Sequence, residues 1–222
     1  HQAVTRGLNP KVKMKDSGVE WIGEVPIGWN TKKLKYVIEI ANGQVSPRNR
    51  VYENWILIGP NHIEPCTGTI LLKQTASEQG ADSGKYIARK GMLIYSKIRP
   101  ELRKACVAEE DCLCSADMYP ISTQGDVTID YLKALFLGEL FNDFMVNQSL
   151  RVAMPKVNRE DVLNYCIAYP PLQEQREIVA YIDRITKTAA VLRASKEAEI
   201  DRLNEFRSTL VNCAVTGKIK VS

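Results

Sequence analysis

Residues 170–211 read PPLQEQREIVAYIDRITKTAAVLRASKEAEIDRLNEFRSTLV, a stretch with no Gly or Pro after the opening proline pair. Apolar side chains recur at Ile178, Ile182, Ile185, Ala189 and Leu192 in 4-3-4-3 steps. The pattern slips near Ser195-Lys196 and resumes at Ile200, Leu203, Phe206 and Leu210. That is the seam of a long helix lying against another helix, with one stutter. At 1.5 Å rise per residue it would span roughly 60 Å. A helix that only closes a sheet needs an apolar stripe of roughly three or four turns. This stripe is much longer, and residues 172–211 carry seven acids and seven bases, so the seam predicts a helical partner.

The totals fit one or two globular units: 222 residues, 45% hydrophobic and 25% charged. No run of eighteen apolar residues predicts a membrane span, and no leader of the secretory type opens the chain. The six cysteines (66, 106, 112, 114, 166 and 213) have no framework spacing and predict reduced thiols in a cytosolic protein.

The formal charge of +4 matters less than its distribution. Residues 85–104 hold Lys85, Arg89, Lys90, Lys97, Arg99, Arg103 and Lys104 against the single acid Glu101. Residues 105–126 hold five acids and no base. A local positive excess of this kind is how a phosphate-binding surface looks in sequence, although an ordinary basic face looks the same.

Along the chain, residues 2–8 (QAVTRGL) resemble residues 213–219 (CAVTGKI), which directly follow the long helix. The expectation is a chain cut from a longer one, just after an earlier copy of that helix. Residues 11–29, with Gly18, Gly23, Pro26 and Gly28 between Trp21 and Trp29, predict an irregular linker pinned by aromatic anchors. Residues 31–41 suit a strand or a short helix equally, and residues 43–50 (GQVSPRNR) a polar loop carrying Arg48 and Arg50. Strands are predicted at 55–58, 69–72, 91–96 and 112–121. A helix follows over 130–146, with Asp130 as N-cap and Leu132, Phe136, Leu140 and Phe144 at i+4 steps. Pro155 acts as a stop, Asn158 caps a short helix to Asn164, and 167–169 form a last strand. The sum is an α+β chain, a mixed globule followed by a long helix.

Little in the chain points to catalytic chemistry. No GxxxxGK or strand-linked GxGxxG occurs, and the only histidines are His1 and His62. His62 with Cys66, Cys112 and Cys114 has the wrong spacing for a usual zinc finger; two cysteines two apart on a strand share a face, and buried thiols are expected. Tyr169-Pro170-Pro171 lacks the Asn or Asp of an amino-methyltransferase motif. In the basic segment, Lys97 and Arg99 share parity on a strand leaving Tyr95, and Arg103 and Lys104 follow the Pro100 turn. Such a fan can bracket a phosphate backbone while other side chains reach base edges. Candidate nucleic-acid contacts are Lys85, Arg89, Lys97, Arg99, Arg103 and Lys104 in this segment, with Arg48 and Arg50, for which a plain surface loop is as common, and Lys156 and Asn158, the last with a sufficient alternative job as a cap.

Five stretches together resemble the DNA specificity subunits of type I restriction-modification systems: MKDSGVEWIGEVPIGW (14–29), GMLIYSKIRPELRK (91–104), AMPKVN (153–158), PPLQEQREIVAYID (170–183) and EFRSTLVNCAVTG (205–217). In that family, target recognition domains alternate with long conserved helices that pair as an antiparallel coiled coil. The resemblance implies residues 1–13 as the tail of a preceding helix, 14–169 as a recognition domain, and 170–222 as a conserved spacer helix and tail. The chain would be the second half of a two-domain subunit, or a half-subunit. It implies a non-catalytic chain that reads one half of a bipartite duplex target and positions methylation and restriction subunits. S-adenosylmethionine, ATP and Mg²⁺ would belong to those partners, and this chain would need no cofactor. With one recognition domain, a split site requires a dimer, packed through Ile178, Ile182, Ile185, Leu192, Ile200, Leu203, Phe206 and Leu210, and a palindromic target. The alternatives are a helical scaffold that binds no DNA, or a nuclease in its own right, which the paucity of histidine disfavours.

Overall fold

A computed structural model describes residues 2–149 and 156–219. The chain forms two compact units, His1–Val179 and Ala180–Ser222. The first is an α+β globule. It opens with α1 (Gln2–Arg6), followed by β1 (Met14–Asp16), β2 (Glu24–Pro26), β3 (Asn30–Lys33), β4 (Ile38–Ile40) and β5 (Gln44–Val45). Then come β6 (Leu57–Ile58), β7 (Lys85–Ala88), β8 (Leu93–Ser96), β9 (Ala105–Val107), β10 (Cys112–Cys114) and β11 (Met118–Thr123). The last elements are α2 (Ile129–Phe136), α3 (Glu139–Ser149), α4 (Arg159–Asn164), β12 (Cys166–Tyr169) and α5 (Leu172–Val215).

Two four-stranded sheets form the body, in orders β5-β7-β10-β6 and β4-β11-β8-β9, with β1-β2 and β12-β3 as antiparallel pairs. The run at 112–121, expected as one strand, is two strands in different sheets, broken at Ser115–Asp117. Successive side chains of β10 explain its unbroken apolar character. Cys112 and Cys114 join a core with Ile58, Ile63, Ile94, Cys106 and Met118, while Leu113 packs on the other face with Leu57 and Ala76. A strand buried on both faces has no polar alternation to read.

Other expectations are corrected. Residues 14–16 and 24–26 form a hairpin rather than a wholly irregular linker, although Trp29 is fully buried as an anchor and Trp21 packs on Phe144 and Tyr165. Residues 31–41 resolve into β3, a 3₁₀ turn (Leu34–Tyr36) and β4. Residues 69–72 make only the isolated bridge Ile63–Ile70, and Leu71 and Leu72 are exposed, so two adjacent leucines there are not core. The strand expected at 55–58 shortens to β6, β7 lies inside the basic segment, and β9 directly follows that segment. The helix expected at 130–146 is two. Its N-cap is Thr128, whose Oγ1 accepts from the Tyr131 N–H at 3.3 Å, not Asp130. Leu137 and Gly138 interrupt it, after which the buried face becomes Phe141 and Met145. Tyr95, Phe136, Phe141 and Tyr165 knit these helices to the sheet, with Phe136 and Phe141 stacked 4.0 Å apart between centroids. Asn158 does cap α4, its N–H donating to Asp161 Oδ2 at 3.3 Å, whereas Pro155 lies outside the described residues.

The start of α5 is fixed to the globule through Gln175, which is fully buried. Its Oε1 accepts from the Thr128 N–H at 2.9 Å, and its Nε2 donates to Asp126 O at 2.7 Å and Pro170 O at 2.9 Å. Trp29 Nε1 donates to Glu174 Oε1 at 3.2 Å beside it. These bonds explain why PPLQEQ opens the helix. Of the expected seam, Ile178 is buried in the globule and Ile182 is half-buried. Ile185, Leu192, Ile200, Leu203, Phe206 and Leu210 are exposed along the second unit, at 43–61%. Among the described residues no helix is long and apolar enough to cross a membrane.

Candidate nucleic-acid interface

The ten candidate contacts fall into three groups. Arg48, Arg50, Lys85 and Arg89 belong to the β5-β7-β10-β6 sheet and its loops. Lys85 is buried, and its Nζ donates to Ser83 O and Oγ, both at 2.7 Å. Arg89 pairs with Asp111 at 2.7 Å and lies over the Trp55 ring, and Arg48 faces Asp82 at 4.0 Å. The Asp111 carboxyl, accepting from the Lys90 N–H first and then from Arg89, is held below the usual carboxylate range.

The second group is built by the end of β8. After Ser96 the chain makes a 3₁₀ turn at Pro100–Leu102, flanked by Arg99 (φ 49°) and Arg103 (φ 48°), both in the left-handed region. Non-glycine residues rarely adopt this conformation, and it costs on the order of 1–3 kcal/mol each. The turn is held from three sides. Cys66 N–H donates to Arg103 O at 3.2 Å, Arg103 faces Glu139 on α3 at 3.8 Å, and Lys104 Nζ donates to Pro60 O at 2.6 Å. Lys97 lies over the Tyr119 ring at 5.5 Å, and its N–H donates to Asp117 O at 3.0 Å. Ile98 bridges to Lys156, which faces Asp117 at 3.9 Å. Lys97, Arg99, Arg103 and Lys104 thus belong to one turn, and Lys156 joins them from a distant segment through the Ile98 bridge. Arg99 and Lys104 line an open cleft of about 350 Å³ together with Pro60, Asn61, Ile98, Leu102 and Asp117; Lys97 and Lys156 stand beside it through Asp117, and Arg103 faces Glu139 instead.

Asn158 is the third group, exposed and engaged as a helix cap. Sequence reasoning missed Asn61 and Asp117 in the cleft; the Pro60-Asn61 turn residues were the only local sign. It also missed Arg159. This guanidinium donates to Ile40 O (2.8 Å) and Ala41 O (3.0 Å) and lies over Tyr119. It braces the end of β4 and is not a free cation.

His62 is buried, and its Nδ1 lies 3.2 Å from Gly59 N and 3.1 Å from Leu57 O. By tautomer it accepts from the first or donates to the second, and in either case ties the ring to the segment opening the Pro60 turn. Cys112 and Cys114 are buried as expected, Cys106 is buried beside them, and burial pushes the Cys106 and Cys112 thiols up to about 12. Cys66, expected with them, is exposed, because its left-handed turn (φ 65°) lies at the tip of the 61–72 excursion. Among the described residues no group of three or more His, Cys, Asp or Glu side chains is placed to hold a metal ion.

The profile of the family described as type I restriction modification DNA specificity domain matches residues 26–202. The specificity subunit of the type I restriction enzyme EcoDI of Escherichia coli is 34% identical over 195 residues, covering 88% of this chain and 43% of that protein. A solved chain from a study of complex assembly in the type I R-M system superposes with a TM-score of 0.64 at 20% identity, covering 85% of this chain and 46% of that one. The HsdS subunit of Thermoanaerobacter tengcongensis superposes with a TM-score of 0.56 at 24% identity, covering 86% and 45%. This chain therefore spans less than half the length of these relatives. The excursions of the globule, the long helix that follows it and the match over residues 26–202 agree: this chain belongs to the type I restriction-modification DNA specificity family.

Proposed function

We propose that this chain reads one half of a split duplex DNA target, without catalysis, through the cleft between the Pro60 and Pro100 turns. The observation that carries the reading is a cleft lined by Arg99 and Lys104, with Lys97 and Lys156 beside its Asp117, in a chain of this family. Lys97, Lys104 and Lys156 at its edge suit phosphate oxygens, which position a protein on the duplex without carrying sequence. In this reading α5 acts as a spacer, and methylation and restriction subunits assemble on the chain. S-adenosylmethionine, ATP and Mg²⁺ are the partners' cofactors, the setting is the cytoplasm, and two copies pair along the exposed stripe from Ile185 to Leu210 to read a palindromic site.

Duplex binding measured against salt tests this. Affinity should fall linearly on a logarithmic salt axis, and Lys97→Ala should lower the slope by about one while leaving the melting transition unchanged. Absence of duplex binding at low salt, with methylation subunits added, would instead favour a helical scaffold. Ile185→Asp should turn any dimer into a monomer by sedimentation; an unchanged mass would place the pairing surface elsewhere.

A further inference from the structure

Two hydrogen-bonding heads in the cleft are left over. Lys104 is taken by Pro60 O, Asp117 faces Lys156, Arg103 faces Glu139, and Lys97 lies over Tyr119. Among the described residues, neither the Asn61 amide nor the Arg99 guanidinium has a hydrogen-bond or ion-pair partner, and both are exposed. Their backbones are nonetheless fixed. Asn61 follows Pro60 in a turn closed by the buried His62 ring and by the His62 N–H donating to Gly59 O at 3.0 Å. Arg99 sits in the left-handed region before the buried Pro100, in a turn closed by Leu102 N–H donating to Arg99 O at 3.0 Å.

Free heads on fixed backbones suit base readout, because the backbone share of the ordering cost is met before binding and only the side-chain share remains. A phosphate seat draws on donors, which cations, amides and hydroxyls all supply, and has no use for a carboxylate. This cleft mixes a guanidinium, an amide and a carboxylate, a donor and acceptor set that matches base edges. Arg is the bidentate partner of guanine O6 and N7, and Asn that of adenine N6 and N7, both in the major groove. On the DNA-reading function above, we propose that Arg99 and Asn61 are the specificity-determining pair of the globule, Arg99 reading a guanine and Asn61 an adenine close by in the same half-site. The lysines of the rim then supply register, and the two free heads supply sequence.

The test is selection of bound duplexes from a random pool by the full chain and by Arg99→Ala, Arg99→Lys, Asn61→Ala and Lys97→Ala. The wild-type motif should contain one strongly required guanine and one strongly required adenine. Arg99→Ala should erase the guanine preference, on the order of ten- to a hundredfold, and keep the other positions. Arg99→Lys should erase it too while restoring the salt slope, since an ammonium cannot make the bidentate pair. Asn61→Ala should erase only the adenine. Lys97→Ala should weaken binding evenly across sequences. If the wild type selects a motif and the Arg99 and Asn61 variants keep every position, the proposal is overturned and both are backbone anchors. If the wild type selects no motif, the DNA-reading function falls with it.

Discussion

Removing the Gln175 amide measures how the long helix is joined to the globule. In Gln175→Leu, the Thr128 N–H loses its acceptor and the Asp126 and Pro170 carbonyls lose their donor, in a place where Gln175 itself is fully buried. A buried hydrogen-bonding group left unpaired costs about 1–3 kcal/mol, and carbonyls with a second lone pair sit at the low end. Three such groups, offset by the added apolar contact of leucine, give a loss of about 3–5 kcal/mol. That is a large part of the roughly 5–15 kcal/mol by which a domain is stable. Gln175→Glu separates shape from donor capacity. It keeps the acceptor for Thr128 but turns an acceptor toward two carbonyls, so it should be at least as damaging near pH 7 and recover as acid restores an O–H donor. Urea unfolding followed by tryptophan fluorescence suits the measurement, because the buried Trp29 ring is bonded to Glu174 one residue away. A loss below about 1 kcal/mol for both variants would refute the reasoning, since solvent or backbone would then be replacing the clamp.

Three further outcomes are expected. Asn142 is 2% exposed and, among the described residues, neither of its amide atoms has a partner, so Asn142→Leu should stabilise the chain by about 1–3 kcal/mol and raise the urea midpoint; a lower midpoint would mean that the amide is used. The Asp111 carboxyl is held below its ordinary range by the Lys90 N–H and Arg89, so its contribution is present above the unfolded value of about 4 and disappears as pH falls through the lower folded value. Asp111→Asn should therefore melt below the wild type at pH 7 and together with it in strong acid; an equal gap at both pH values would exclude this linkage. In native alkylation followed by mass spectrometry, exposed Cys66 should label before Cys106, Cys112 and Cys114, whose thiols are buried and pushed up in pKa; early labelling of the buried set would indicate local opening of the core.

The long helix was legible because its signal is local and repeats. Every third or fourth residue from Ile178 to Leu192 and again from Ile200 to Leu210 is apolar, no Gly or Pro interrupts the run, and a proline pair marks its start. The basic composition of residues 85–104 was legible for the same reason. Which of those charges are free was not. Lys85 and Arg99 look alike in sequence, yet the first is buried against Ser83 and the second is unengaged at the cleft. Strand boundaries were blurred wherever both faces of a strand are covered, as in β10, since period-two alternation requires one solvated face. The Gln175 clamp joins residues 47 and 49 positions apart, and the cleft joins the Pro60, Pro100 and Asp117 regions. Sequence by itself determined the helix, the α+β composition and the basic segment, all properties of neighbours along the chain. Tertiary structure alone decided which side chains meet, because packing distant segments satisfies some charges and amides and leaves Arg99 and Asn61 exposed at the cleft.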